Sequence, residues 1–359
     1  MERLGEPGLA AEARSLRRMR DALARRPADA GLAARLARRC LQLSRAEGDA
    51  RYLSYAQAAL APWWNAPGPP NEILALRAGV KQSNHDFAGA QSDLSFLLKS
   101  DPENAQACLT LATILQVQGR YSEAKEAGRP LWRAAPGLAL ACNAGINGFS
   151  GHAEQSEAVL RRALRGGLFN DSEQKIWALG LLADLAVRRG EPAAAKAYFD
   201  QAFRLGRRDI FLLAAYADFQ LDQGHAEEVV RLLSRETQVD GLLLRLALAE
   251  KILRAPGLQA HLDLLKARVD AARLRGDARH KREEALFFLL LQNDPAEALR
   301  LANENWAVQR EPEDLRILIQ AALAARDQAT VQSALQWRRR AGLEDVRIDR
   351  LLEKARRAP

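Results

Sequence analysis

An alanine that recurs along the middle of the chain constrains its fold more than any other feature. Six such alanines are separated by 34, 32, 39, 34 and 32 residues, and each lies in a stretch with helical periodicity: Ala78, Ala112, Ala144, Ala183, Ala217 and Ala249. Near-regular recurrence at this distance is typical of solenoid proteins, in which each repeat covers the apolar face that its neighbour leaves open. We therefore expect a stack of similar units.

A second column of small residues and a column of glycines keep the same register. The second column begins another helical stretch in each unit: Ala90, Ala124 and Ala195, with Ser156, Val229, Ala298 and Val331 in equivalent places. The turn between two stretches carries a glycine, which readily adopts the left-handed conformation that ends a helix: Gly119, Gly151, Gly190 and Gly224. Since small side chains let helices cross closely, each unit is predicted to be an antiparallel helix pair.

The unit around residues 104–136 resembles the tetratricopeptide repeat. The residues that carry the resemblance follow that family's 34-residue pattern: Cys108, Leu111, Ala112, Leu115, Gly119, Tyr121, Ala124 and Pro136. Cys108 replaces the family's usual tryptophan, and Gly128 replaces an aromatic residue of the second helix. The resemblance is good over 71–239 and weaker over 30–62 and 278–341. It implies an all-α fold, a right-handed α-solenoid of antiparallel helix pairs with a TPR-like superhelix.

The repeat pattern divides the chain into four predicted parts. Residues 1–62 form an N-terminal helical repeat or cap, 71–277 the central array, and 278–359 degenerate C-terminal repeats with a capping helix at 346–357. A linker at 63–70 contains Trp63 and Trp64, which we expect to pack over the end of a helix pair, and its prolines exclude a helix.

Helix positions in the array and beyond follow from the periodicity and from the turns. Residues 1–8 are expected to be loose. Helix pairs are predicted at 71–84/86–100, 104–118/121–134, 137–149/152–165, 172–189/192–205, 209–223/226–237, 240–254/257–275, 278–292/295–309 and 312–325/327–340.

Charge is concentrated at the two ends of the chain. Lys and Arg number 53 against 45 Asp and Glu, a net charge of +8, of which +5 lies in residues 1–51 and +4 in residues 337–359. A nucleic-acid groove requires a continuous basic stripe, so a neutral middle makes nucleic-acid binding the weaker expectation. The high proportion of arginine is typical of a GC-rich genome rather than of a binding site. Repeat chains rich in arginine and alanine with segments such as Asn305–Pro312 resemble bacterial ones, and this resemblance implies a bacterial protein.

The cysteines and the N-terminal residues indicate which cellular compartment to expect. Cys40, Cys108 and Cys142 are odd in number and form no CxxC pair, which excludes a disulfide framework. The sequence as written has no apolar leader and no membrane-spanning stretch. We expect a cytoplasmic protein, or a periplasmic one if a leader precedes Met1.

Catalytic patterns are missing from the sequence. It contains no GxGxxG, no phosphate-binding GxxxxGK[ST], no HExxH and no GxSxG motif. We therefore predict a protein that is not an enzyme and that needs no cofactor and no metal.

The resemblance implies a concave binding face formed by the first helix of each pair. Position 9 of the family carries Gly79, Thr113 and Gly145 and then three consecutive carboxylates, Asp184, Asp218 and Glu250. Position 2 carries Gln106, Trp177 and Phe211. We hypothesise that the carboxylates hold a basic segment of a partner protein, with the two aromatic residues as apolar anchors. A simpler interpretation is that these acids only keep a curved surface hydrated.

Besides binding of a partner protein, two other functions stay open. The family's clamp for a carboxyl terminus needs Lys and Asn at inner positions that carry Ala75, Gly79 and Thr110, so binding of chaperone tails is not expected. The leading interpretation is a protein-binding scaffold or adaptor. The alternative is a basic-ended repeat protein that binds nucleic acid or an anionic envelope surface, and the third is a regulatory subunit of a partner enzyme.

Overall fold

The computed structural model describes residues 7–169, 171–275 and 281–357, and these residues contain helices and turns but no strand. The chain divides into two compact units, the first ending at Thr110 and the second beginning at Leu111. The all-α fold of paired helices predicted from the repeat is thereby confirmed. Of the segment expected to be loose, residues 1–6 lie outside the described residues, and residues 7 and 8 already belong to a helix.

From residue 7 onwards, the first unit forms five α-helices, a 3₁₀ turn and the start of a sixth α-helix. They are α1 (Pro7–Arg25), α2 (Ala30–Glu47), α3 (Arg51–Ala59), the turn Ala61–Trp63, α4 (Asn71–Ser83), α5 (Phe87–Ser100) and α6 (Ala105–Val117), which runs into the second unit. A core of leucines and alanines lies between α1, α2, α3 and α4.

The described residues of the second unit form fifteen further α-helices. They are α7 (Tyr121–Gly128), α8 (Leu131–Ala134), α9 (Pro136–Gly148), α10 (Ala153–Arg165), α11 (Ser172–Arg189), α12 (Pro192–Phe203), α13 (Ile210–Asp222), α14 (Ala226–Leu233), α15 (Asp240–Leu253), α16 (Leu258–Leu274), α17 (Lys281–Leu286), α18 (Pro295–Val308), α19 (Pro312–Ala324), α20 (Gln328–Ala341) and α21 (Val346–Arg357). Three predicted helices differ. The helix predicted at 226–237 ends at Leu233. The helix predicted at 121–134 breaks before Pro130, which lacks a donor for the helix, and α17 ends in a π-helical turn, Phe287–Leu291.

The recurring alanines lie where paired helices cross. All six of the first column are between 0 and 4% exposed, and Ala90, Ala124 and Ala195 of the second column are fully buried. Ala183 on α11 is an example: α11 packs along its partner α12 with no side chain larger than a methyl group at this position. The recurring alanines therefore mark positions where the packed helices leave no room for a larger side chain.

The turns within the pairs share one left-handed residue. Gly119, Gly151, Gly190 and Gly224 have φ angles of +73°, +83°, +77° and +80°. Other pairs place His85, Arg254, Asn293 or Arg326 at such a turn, with φ between +53° and +60°. A side chain is strained in this conformation by ~1–2 kcal/mol, so the glycine column has a conformational cause.

A buried arginine fastens the tryptophan-containing linker to α4. Arg77 donates from Nη1 to the carbonyl oxygens of Trp63 (2.6 Å) and Trp64 (2.8 Å), and from Nη2 and Nε to the carboxylate of Asp93 (2.6 and 2.8 Å). Trp63 and Trp64 are partly buried against the core of the first unit. The linker is therefore held by polar bonds that the sequence pattern did not indicate.

Two glycine substitutions should separate turn strain from packing. We expect Gly224→Ala to lower the free energy of unfolding by ~1–2 kcal/mol, because φ is +80° there although a Cβ would meet no atom within 4 Å. Gly180→Ala, inside α11 and equally uncrowded, should raise it by ~0.5–1 kcal/mol. Urea unfolding measures both, and effects of equal sign would contradict this account of the turns.

Candidate functional site

The three carboxylates predicted on the first-helix face are each paired within the chain. Asp184 accepts a hydrogen bond from Arg188 Nε at 2.9 Å, and Asp218 accepts one from Arg245 Nη2 at 2.6 Å. Glu250 is only 6% exposed, and its Oε2 lies 2.7 Å from His261 Nδ1. The partner-binding role of these acids stays a prediction, and a basic partner would have to displace or join the side chain that already pairs with each of them.

The aromatic residues predicted as anchors lie at the other end of these helices. Phe211, in the first turn of α13, is 67% exposed, while Trp177 on α11 is partly buried against the core of α9 to α13. Gly180, one turn after Trp177, faces open space. This end of the first-helix face is therefore accessible and apolar.

The remaining predicted residues lie on α6. Gln106 is exposed in the first unit, with its Nε2 donating to Thr110 Oγ1 at 3.1 Å. Thr113 is half-buried in the second unit.

An ionic cluster that the sequence analysis missed joins the end of α13 to the C-terminal helices. Arg316 on α19 donates from both Nη atoms to the two carboxylate oxygens of Asp222, each at 2.6 Å. Arg347 on α21 donates to Glu313 at 3.0 Å and also lies 3.9 Å from Asp222. Because Asp222 and Arg316 are 94 residues apart, no local sequence pattern could have paired them.

A second cluster is buried between α17 and α19. Arg282 donates from Nε to Asp314 Oδ1 at 2.6 Å, and its Nη2 pairs with Glu311. Asn305 also donates to Asp314, at 2.7 Å, and the side chain of Asp314 is fully buried. Every charged group named here has an opposite charge at bonding distance, which offsets its removal from water.

The carboxyl group of Glu313 is held in its ionised form by the arginines around it. Burial alone would raise the pKa of its carboxyl group, but Arg316, Arg347, Arg282 and Arg245 outweigh burial and lower the pKa to about 2. Glu313 therefore stays ionised well below the pH at which an ordinary glutamate takes up a proton.

The C-terminal helices also approach the turns of the earlier pairs through backbone. The amide of Arg310 donates to the carbonyl oxygen of Val117 at 2.7 Å. A Cβ on Gly151 would lie 3.4 Å from the carbonyl oxygen of Gly342, and one on Gly190 would lie 3.2 Å from Val346 Cγ2. These glycines thus serve close approach as well as turn conformation. We call this contact, together with the pair Asp222–Arg316, the seam.

Other classes of site find little support in the described part of the chain. A cavity of about 350 Å³ beside the seam is lined by both arginines and carboxylates, among them Arg189, Glu191 and Asp349. Residues 7–169, 171–275 and 281–357 hold no group of three His, Cys, Asp or Glu residues placed to bind a metal. Among the same residues, no helix combines the length and apolar character that crossing a membrane requires.

Comparison with known families agrees with this architecture. Residues 82–140 match the tetratricopeptide repeat family. The same pairing of helices, with buried small residues at the crossings, recurs on both sides of that segment. This chain therefore contains a segment of the tetratricopeptide-repeat type.

Several solved helical-repeat structures match most of this chain at low identity. The human IFIT1 dimer with m7Gppp-AAAA is 13% identical over 92% of this chain and 86% of that chain, with a TM-score of 0.47. The APC/C hetero-tetramer Cut9-Hcn1 is 16% identical over 82% of this chain, which spans only 63% of that chain, with a TM-score of 0.34. The P58(IPK) TPR domain is 15% identical over 89% of this chain and 97% of that chain, with a TM-score of 0.26. No curated protein matches the sequence. With each of these TM-scores below 0.5, the likenesses give no indication of function.

Acid titration should show the ionisation of Glu313. Its folded-state pKa of about 2 lies below the usual 4.5, so the unfolded chain takes up a proton first as the pH falls. The stability that the charge contributes, ~1–3 kcal/mol, is full above pH 4.5 and disappears toward pH 2. Glu313→Gln should therefore be less stable than the parent at pH 6, and the difference should shrink below pH 4.5.

Urea unfolding at pH 6, 4 and 3 measures the free energy of unfolding of the parent and of Glu313→Gln. The difference between the two values removes the contribution of the other titrating groups, because both proteins share them. Glu353→Gln is the matched control, because that side chain is 62% exposed and should change stability little at any pH. A difference between parent and Glu313→Gln that persists unchanged at pH 3 would contradict the lowered pKa.

Proposed function

We propose that this chain is a non-enzymatic tetratricopeptide-repeat scaffold that binds a segment of another protein on the first-helix face of α9, α11 and α13. The observation that carries the proposal is the exposure of Phe211, 67% in a chain whose other aromatic residues are mostly packed. Large apolar side chains held in place on a repeat surface are typical anchors for a partner segment.

The surroundings of Phe211 support a groove for such a segment. Small, partly exposed residues follow one turn after the two aromatic residues, Gly180 on α11 and Ala214 on α13. Trp177 lies beside them, half-exposed at the edge of the core. An extended segment would therefore meet a shallow floor with two aromatic anchors, and burial of Phe211 would supply ~1.5–3 kcal/mol.

Charge would add to the apolar contact at one point. The side chain of Asp184 is 40% exposed although it pairs with Arg188, so it has room for a second cation. Asp218 and Glu250 are more enclosed. The basic partner expected from the sequence is thus retained as a proposal, with Asp184 as the carboxylate that a lysine or arginine of the partner would reach.

The alternative, binding of a polyanion, is favoured by one observation in the first unit. Arg14, Arg17, Arg18 and Arg25 are exposed on one face of α1 and form no ion pair with any residue between 12 and 357 that the structure describes. Such a face would bind nucleic acid or an anionic surface with steep salt dependence. Asp21 interrupts it, so we place this function second.

Affinity capture with matched variants tests the two functions. Phe211→Ala should reduce recovery of specific binding proteins from native cells by ~10–100-fold, the range that burial of one phenylalanine covers. Trp132→Ala removes an aromatic residue of 47% exposure from a second helix and should leave recovery unchanged. Both variants are checked for native helicity by circular dichroism.

Two outcomes would contradict the proposal. Equal recovery with Phe211→Ala and the parent would show that this face is not the binding site. Loss of binding in an Arg14→Ala, Arg18→Ala double variant, accompanied by release of nucleic acid at moderate salt, would favour the alternative function.

A further inference from the structure

We propose that the seam is a latch, a reversible closure of residues 111–357 on themselves that opens as ionic strength rises while both sides stay folded. The latch joins the turn ends of α6, α9, α11 and α13 to the segment between α18 and α21. It lies at the opposite end of α13 from Phe211, because eleven residues of helix separate Phe211 from Asp222, a rise of about 16 Å.

The bonds of the seam are polar. Arg316 and Arg347 bring two guanidinium groups to Asp222, and the amide of Arg310 reaches the carbonyl of Val117. Arg188 Nη1 donates to the carbonyl of Gly148 at 2.8 Å and is 3.4 Å from that of Glu344, across the seam. Side chains of the pair Asp222–Arg316 are 24% and 21% exposed, so salt reaches and screens them.

Apolar packing does not bridge the seam in the same way. The core that contains α11 and the core that contains α19 are separate clusters of described residues, the first including Leu182 and Phe199, the second Leu315 and Ile348. A third cluster, which includes Ala217 and Phe287, lies between these two cores. Separation at the seam therefore exposes glycine backbone and charged groups together with the side chains of Trp337 and Val346 that contact those glycines. Opening therefore costs far less than unfolding either side.

Close glycine contacts give the latch its fit. Gly119 lies against Trp337, where a Cβ would approach Cζ2 to 3.1 Å, and Gly190 lies against Val346. Gly224 has the same left-handed conformation but would present its Cβ to open space. The chain thus offers turn glycines of the same left-handed conformation that differ in whether a Cβ would crowd the C-terminal segment.

Hydrogen exchange at the Arg310 amide measures opening of the latch directly, because its described hydrogen bond crosses the seam. The amide of Ala325 bonds to Ala321 within α19 and serves as the internal control. Raising NaCl from 50 mM to 1 M in the wild-type protein should speed exchange at Arg310 by ~10-fold, the effect of losing one well-formed ion pair. Exchange at Ala325 should not change.

Two substitutions give independent tests. Arg316→Ala should speed exchange at Arg310 by about tenfold at 50 mM NaCl and abolish most of its salt dependence. Gly190→Ala should speed it more than Gly224→Ala, because only the first crowds the seam.

The result that overturns the latch is exchange at Arg310 that ignores salt in the wild-type protein, or that rises together with exchange at Ala325. The salt series needs no variant, so it decides the question even if Arg316→Ala fails to fold. The Phe211 anchor would survive such a failure, since it lies at the other end of the first helices. Asp184 does not share that separation, because its partner Arg188 belongs to the seam.

Discussion

The close crossing of two antiparallel helices at an alanine is the constraint on which the rest of this structure depends. A methyl group at Ala112, Ala183 or Ala217 lets the first helix of a pair lie against its partner, and these residues are completely buried. Each pair then leaves an apolar face that the next pair covers. The first-helix face, with its carboxylates and aromatic residues, exists only because this stacking repeats with little variation.

Glycine at the turns has two physical roles in the second unit. All four turn glycines adopt the left-handed conformation, which explains their regular spacing. Three of them, Gly119, Gly151 and Gly190, also bring the backbone close enough for the C-terminal segment to lie against it. Glycines that the turn conformation requires therefore also leave room for a long-range contact. Ion pairs such as Asp222–Arg316 make that contact specific.

The sequence predicted local structure well because repeats record local geometry. The helix pairs, the buried alanines and the left-handed turns all depend on residues fewer than 40 positions apart, and they are found where the columns placed them. Asp184 and Asp218 were correctly located on the first helices, but the arginines that pair with them were not foreseen.

Long-range partners could not be read from the sequence for a physical reason. This chain has so many arginines that the sequence alone does not show which of them pairs with a given carboxylate. The stacking of the helix pairs determines the pairing, and Arg316 comes close to Asp222 only after several pairs have stacked. The family pattern likewise identifies the positions on the inner face, but it does not show which side chains of the same protein already pair with the residues there. For Phe211 the family position predicted an accessible anchor, and its side chain is exposed, although its role in binding stays a proposal.

The free energy of unfolding of Ala183→Leu tests the central constraint most directly, with Ala197→Leu as its control. Ala183 is fully buried on α11 and Ala197 is exposed on α12 of the same pair. Overpacking should lower the stability of the first variant by ~1–3 kcal/mol, and the second should change by less than ~0.5 kcal/mol. Equal stability of the two variants would contradict close helix crossing as the basis of the fold.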